Sequence, residues 1–305
     1  MSTLRFPSTA AFTQSIRMRR NGALPGTLFL VLEGVSDKKS FQPLLGPTFH
    51  YVPARGKEMV LTAYETLTTE GAKNCLFIVD CDGETSNSWL GRPGLIVSNN
   101  RDIDADLLFE LRAFDRVSLE FLSDFGLTAP QCSDIGSKLL DYARGITASF
   151  GILLDTARHL GFNTKFVDPV TNARRRIRLE DFSDLSTWVE NFVPIDPNEL
   201  LPVAAQVLEW TAAQEHAILE ALQIGRTKQC RIHKAEYCSS CTPRRFSNGH
   251  DLADVLALGL SQRCGYDVNA AEFARATRLA TSSGAIGDWD VANRVQRWQS
   301  LHAAA

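Results

Sequence analysis

The chain has 305 residues and a mass of 33.7 kDa, which leaves room for one large or two moderate domains. Its 44% hydrophobic and 22% charged residues are ordinary for a globular protein, and a formal net charge of −3 excludes a polybasic coating protein but not a local basic patch. No apolar run reaches the roughly 18 residues needed to cross a bilayer, and residues 1–20 read as a basic amphipathic segment rather than a secretory signal, so a cytoplasmic location without membrane contact is the expectation.

Residues 8–20 suit a short helix, with Phe12, Ile16 and Met18 apolar and Arg17, Arg19 and Arg20 solvated; the stretch NGALPG then breaks the pattern. The apolar run Leu28–Leu32 reads as a buried strand, and Ser36 or Asp37 can cap the helix that follows. TFHYVPA is a second strand, and the next segment carries Met59, Leu61, Tyr64 and Leu67 at helical spacing. NCLFIVDCDGE is a third strand ending in carboxylates, and GLIVSNN a fourth. This alternation predicts a mostly parallel sheet covered on both faces. After about residue 130 the pattern becomes helical, with long helices over 136–162 and 197–222 and shorter ones over 251–263, 269–280 and 288–298. One strand-like insert, residues 165–182, interrupts them. Residues 128–135 (TAPQCSDI) are the expected boundary, giving an N-terminal helical segment 1–26, an α/β domain 27–130 and a mainly helical domain 131–305.

The chemistry concentrates at strand ends. Glu33 follows the first strand directly, and Gly34 permits a tight turn there. Asp80 and Asp82 form an Asp-Cys-Asp triplet after the third strand. Ligands of parallel sheets collect at the carboxyl ends of strands, and residues two apart on an extended chain point the same way. Three hard oxygen donors suit magnesium or manganese, which can bind a phosphodiester oxygen and offset charge in an in-line displacement. Acids at strand ends also serve simply to stay solvated or to cap helices; the ordered combination strand–Glu–Gly–helix, then strand–Asp-x-Asp, favours the cation site. Glu84, in the same loop, reads as solvated.

LFLVLEGVSDKKSFQPLL followed by CLFIVDCDGE resembles the TOPRIM domain shared by topoisomerases, bacterial primases and OLD-family nucleases. The stretches SNNRDIDADLL and NGHDLADVL resemble the TOPRIM proteins that accompany ABC-type ATPases in bacterial anti-phage systems, among them the AriB effectors of PARIS. The resemblance covers residues 27–110 and a short segment near 248–256. It implies an α/β fold class: a TOPRIM-like Rossmannoid parallel sheet followed by a mainly helical domain. It implies that Glu33 acts in acid/base chemistry or helps hold the metal, and that Asp80 and Asp82 bind Mg2+ or Mn2+. Where that subfamily often reads Arg-Asp-x-Glu, this chain has Arg101-Asp102-Ile103-Asp104, so Asp104 stands in for a glutamate; a helix start with Asp102 and Asp104 facing the N-terminal dipole is an equal reading. The implied activity is a metal-dependent nuclease, with tRNA favoured over DNA as substrate, an ABC-type ATPase as the partner that restrains it, a homodimer on release, and growth arrest as outcome.

Cys230, His233, Cys238 and Cys241 follow the order C-x2-H-x4-C-x2-C. Thiolate and imidazole donors in short turns suit tetrahedral zinc, and four such ligands leave no open position, so the expectation is a structural zinc-binding loop. His250 is a substitute ligand, and Asn248 or Asp251 caps the helix that begins there. Among basic groups, Arg55 and Lys57 stand after the second strand at the acidic edge and suit phosphate contact. Arg174, Arg175, Arg176 and Arg178 form the densest run, for nucleic acid, an acidic partner or a solvated hairpin; Arg244 and Arg245 flank the cysteine cluster. Neither a GxxxxGK[ST] loop nor a G-x-S-x-G elbow occurs, so neither ATP binding by a P-loop nor serine hydrolysis is the expectation. The alternative to a nuclease is a non-catalytic TOPRIM-fold module that binds nucleic acid or an ATPase.

Overall fold

The computed structural model describes residues 8–82, 89–109, 113–168, 172–225, 246–265, 267–281 and 289–302. The molecule is α/β, with a four-stranded parallel sheet and many helices, compatible with a Rossmannoid fold. The chain divides into two units, Met1–Leu111 with Thr281–Ala305 and Arg112–Ala280. Among the described residues, no helix is long and apolar enough to cross a membrane.

In the first unit the strands are β1 (Leu28–Leu32), β2 (Phe49–Pro53), β3 (Cys75–Val79) and β4 (Leu95–Val97), in the order β2-β1-β3-β4. All three pairings are parallel. Every residue of β1 and β3 is buried, as a sheet covered on both faces requires. Successive side chains point to opposite faces, so β1 feeds two separate apolar clusters. Leu28, Leu30 and Leu32 pack with Phe41, Leu44, Ile96, Leu107, Trp289 and Val295. Phe29 and Val31 pack with Phe12, Ile16, Val60, Leu67, Phe77 and Val97. The first face is thus covered by α2 (Val35–Leu45), α4 (Ile103–Phe109) and the C-terminal helix, here α12 (Asp290–His302). The second is covered by α1 (Thr9–Asn21) and α3 (Lys57–Thr69).

The second unit is built around α6 (Ala129–His159), against which α5 (Ala113–Ser123), α8 (Pro197–Leu208), α9 (Ala212–Gly225) and α10 (Gly249–Cys264) pack. Two further helices, α7 (Leu185–Asn191) and α11 (Ala270–Ala280), pack on α10. The strand-like insert is an antiparallel hairpin of β5 (Lys165–Val167) and β6 (Arg174–Arg176).

Four expected boundaries differ from this arrangement. Residues 129–135 are the first turns of α6 rather than a linker: Thr128 and Gln131 close a capping box, and Pro130 lies in the first turn, where no N–H is needed. The expected helix over 197–222 is two helices. Glu209 is left-handed (φ 54°) and Gln214 accepts the Thr211 N–H, so one helix ends and another starts within a few residues. Residues 8–21 are not a separate segment, because Phe12 and Ile16 are part of the core of the first unit, and residues 289–302 belong to that unit rather than to the helical one.

Close packing in α6 yields a paired prediction. A Cβ on Gly151 would lie 2.1 Å from the backbone carbonyl oxygen of Phe246, whereas one on Gly145 meets nothing within 4 Å. Helix propensity alone favours Ala over Gly by about 1 kcal/mol. Gly145→Ala is therefore expected to stabilise the chain by about that amount, and Gly151→Ala to destabilise it by about 2 kcal/mol despite the same propensity gain. Denaturant midpoints of the two variants check the opposite signs.

Candidate active site

The strand order places the site. In a parallel sheet whose order reverses between β1 and β3, the two loops that leave these strands diverge to opposite faces and open a crevice at the carboxyl edge. Glu33 leaves β1 and Asp80 leaves β3 at that point. The Asp80 N–H donates to Glu33 Oε1 at 2.6 Å, which brings the two acids together. The Gly56 N–H donates to the Glu33 carbonyl at 2.9 Å, tying the β2–α3 loop to the same corner. Gly56 has φ 112°, a conformation that glycine alone adopts without strain.

The three acids do not share one orientation. Asp80 Oδ1 accepts from the Ile103 N–H at 3.2 Å. Asp82 lies past the strand end, in the left-handed region (φ 55°), with its N–H on the Arg101 carbonyl at 2.8 Å. The rule that residues two apart point alike holds only for extended backbone, so it fails here. Asp82 Oδ2 instead accepts from Lys57 Nζ at 3.1 Å, an ion pair in which the aspartate is largely exposed. Cys81, between the acids, donates its N–H to Ser98 Oγ at 2.8 Å.

Two carboxylates that the sequence reading left out of the core set act on it. Asp37, in the first turn of α2, accepts the Gly34 N–H at 2.8 Å, and its charge bears on both Glu33 and Asp80. Asp102 accepts the Ala105 N–H at 2.8 Å, which makes it a helix cap, and it is the foremost charge acting on Asp80. Asp104 lies two positions further along, half-buried in the first turn of α4. Burial pushes the Glu33 carboxyl up to about 7; the Asp80 N–H opposes this, Asp82 and Asp37 add to it, and Lys57 opposes it. Burial likewise holds the Asp80 carboxyl well above the usual range, reinforced by Asp102, Glu33, Asp37 and Asp82.

Among the described residues, no group of three or more His, Cys, Asp or Glu side chains is arranged so that it could hold a metal ion. In this arrangement Glu33 and Asp80 accept from backbone N–H groups and Asp82 from Lys57. The donor chemistry nevertheless fits a hard divalent cation. Carboxylates that raise one another's proton affinity, only partly offset by backbone N–H groups and Lys57, supply hard oxygen donors of the kind such an ion takes. Glu33, Asp80 and Asp82 are the residues that would hold such an ion, with Asp82 turning from Lys57.

Of the expected phosphate-binding groups, Arg55 and Lys57 lie at this edge, Arg55 exposed. The arginine run belongs to the second unit. There Arg175 pairs with Asp168 at 2.8 Å and with Asp181, and covers the Phe166 ring at 4.9 Å. Arg174 donates to Asn163 at 3.2 Å and Arg176 is half-buried. Arg178 contacts Glu180 at 2.8 Å and Asp254 at 3.0 Å. The run holds its own hairpin and the 3-10 turn Leu179–Asp181 in place, a use that alternation along a short strand does not reveal. Asn248 caps α10, accepting from His250 and Asp251, and Asp251 accepts the Leu179 N–H at 3.3 Å. Cys230, His233, Cys238, Cys241, Arg244, Arg245 and Glu84 lie outside the described residues. Comparison with protein-family models and with curated proteins found no match for this chain.

The raised Glu33 carboxyl has a stability consequence. The folded chain keeps this proton up to about pH 7, while the unfolded chain releases it near 4.5. Glu33 therefore contributes stability that is full below 4.5 and is lost as pH rises through about 7, on the order of 3 kcal/mol. With divalent cations chelated, the thermal midpoint is expected to fall across this window, and Glu33→Gln, which still accepts the Asp80 N–H, to remove that share of the fall. Scanning calorimetry of both proteins across the window checks it.

Proposed function

We propose that the chain is a divalent-metal-dependent nuclease with a TOPRIM-type α/β core, its site formed by Glu33, Asp80 and Asp82. The observation that carries this reading is the meeting of Glu33 and Asp80 at the reversal of strand order, joined by a 2.6 Å hydrogen bond, in the order strand–Glu, strand–Asp-x-Asp. When bound, Mg2+ or Mn2+ would offset charge on a phosphodiester oxygen and orient water. The chain's own residues supply the rest. Until an ion binds, burial keeps the Glu33 carboxyl raised to about 7, so near neutral pH it can hold a proton that the ion would displace. Lys57 and Arg55, on the same edge, offer positive charge to the phosphates on either side of the scissile bond. The sequence resemblance extends the proposal to an effector of bacterial anti-phage defence, restrained by an ABC-type ATPase and directed at host tRNA.

The second reading is a binding module without catalysis. Its support is the ion pair in which Lys57 already neutralises Asp82, together with the separate orientations of the three acids. The two readings part in cells. With an ABC-type ATPase of the proposed kind co-expressed and phage infection as the trigger, new nucleic-acid ends are expected for the wild type. Glu33→Gln and Asp80→Asn are each expected to lower their yield by about a hundredfold or more. Sequencing of RNA and DNA ends measures this: ends in tRNA fit the proposed substrate, ends in DNA replace it, and equal yields from soluble variants overturn the nuclease reading.

A further inference from the structure

The loop between β4 and α4, residues 98–102, holds the acidic corner through its backbone and one hydroxyl. Ser98 Oγ accepts the Cys81 N–H and donates to the Asn100 carbonyl, each at 2.8 Å. The Arg101 carbonyl accepts the Asp82 N–H at 2.8 Å, and the Ile103 N–H donates to Asp80 Oδ1 at 3.2 Å. The orientation of Asp82, whose φ is 55°, and that of the Asp80 carboxyl therefore depend on where this loop sits.

The loop is fixed from outside by a buried carboxylate and by the C-terminal segment. Asp106 is fully buried; its Oδ1 accepts both the backbone N–H and the side-chain amide of Asn100, at 2.7 and 2.6 Å. Its Oδ2 accepts from Trp289 Nε1 at 3.3 Å. Trp289 is itself fully buried and stacked on Phe41, ring centroids 4.8 Å apart. Two neighbours on α12 add to the grip: Asp290 accepts from the Asn99 amide at 3.3 Å, and Arg294 donates to the Val97 carbonyl at 3.2 Å. The three donors reach both Asp106 oxygens, an arrangement that a neutral amide cannot accept, because its NH2 end would face a donor. Apolar packing alone would not call for such a group at this depth.

We infer that Asp106 and Trp289 are positioning residues for the Glu33–Asp80–Asp82 cluster, acting through Asn100 and the loop that carries Arg101 and leads into Ile103. The inference rests on reading that cluster as a cation site. It assigns the C-terminal segment, far away in sequence, a part in holding the site's geometry.

The test uses the full chain with Mn2+ as probe. Trp289→Phe keeps an aromatic ring against Phe41 and removes the N–H; Asp106→Asn is the second variant. Electron paramagnetic resonance measures Mn2+ binding, and hydrogen exchange follows the amides of Asp82 and Ile103 beside those of Leu30 and Val31 in β1. In both variants Mn2+ is expected to bind about tenfold more weakly or worse. The Asp82 and Ile103 amides are expected to exchange about tenfold faster while the β1 amides keep their rate. Wild-type Mn2+ affinity in both variants would overturn the positioning role alone. So would equal acceleration of the β1 amides, since that describes general loosening. A wild-type chain that binds no Mn2+ would remove the cation reading and this role with it.

Discussion

The hydrogen-bonded pairing of β1 with β3 is the constraint on which the acidic corner depends. Phe29 lies level with Cys75, Leu30 with Leu76 and Val31 with Phe77. Continued toward the carboxyl end, this register puts Glu33 level with Val79, one residue short of Asp80, and the 2.6 Å hydrogen bond from the Asp80 N–H closes the gap. A slip of one residue would exchange the two faces of β1, because its alternate side chains feed separate cores. The geometry of the site is therefore protected by the whole apolar interior of the first unit and not only by its local hydrogen bonds.

That protection comes with an electrostatic cost. Sheet burial brings carboxyl groups near one another and away from water, and both effects favour their protonated forms. The backbone offsets part of this: N–H groups of Asp80, Ile103, Gly34 and Ala105 each meet a carboxylate oxygen. Lys57 offsets another part, but its contact with Asp82 is open to solvent, where an ion pair stabilises by about 1 kcal/mol at most. A charge balance this incomplete is a poor device for stability. It is a reasonable one for a site that receives a cation or holds a proton.

Much of the first unit was legible because its signals are short-range. Runs such as Leu28–Leu32 and Cys75–Val79 are continuous and apolar, and the residues that end them are charged, so both the strands and Glu33 and Asp80 could be read directly. Asp82 was found by pattern, but its left-handed backbone was not, since alternation says nothing about the residue after a strand. Thr128, Pro130 and Gln131 show the opposite failure: residues that mark a linker by composition also start a helix, and α6 uses them so. Asp37 and Asp102 were readable only as helix caps, because their influence on Asp80 comes from the packing of separate loops at one edge. Asp106 and Trp289 carry no local signal, and only the folded chain brings positions so far apart in sequence into contact.

The first unit is discontinuous: its sheet and most of its helices precede residue 112, and its last helix follows residue 280. Thermodynamically such an insertion is cheap, since each doubling of a closed loop costs only about 0.6 kcal/mol. In time it is not neutral. During synthesis the four strands emerge well before Trp289, Val291 and Val295, which pack on one face of the sheet. Until then Leu30, Ile78 and Ile96 lack part of their cover, and the loop after β4 lacks its outer anchor. A nascent chain that has already exposed every acid of the corner therefore still lacks the contacts that Trp289 makes with Asp106 and Arg294 with the Val97 carbonyl.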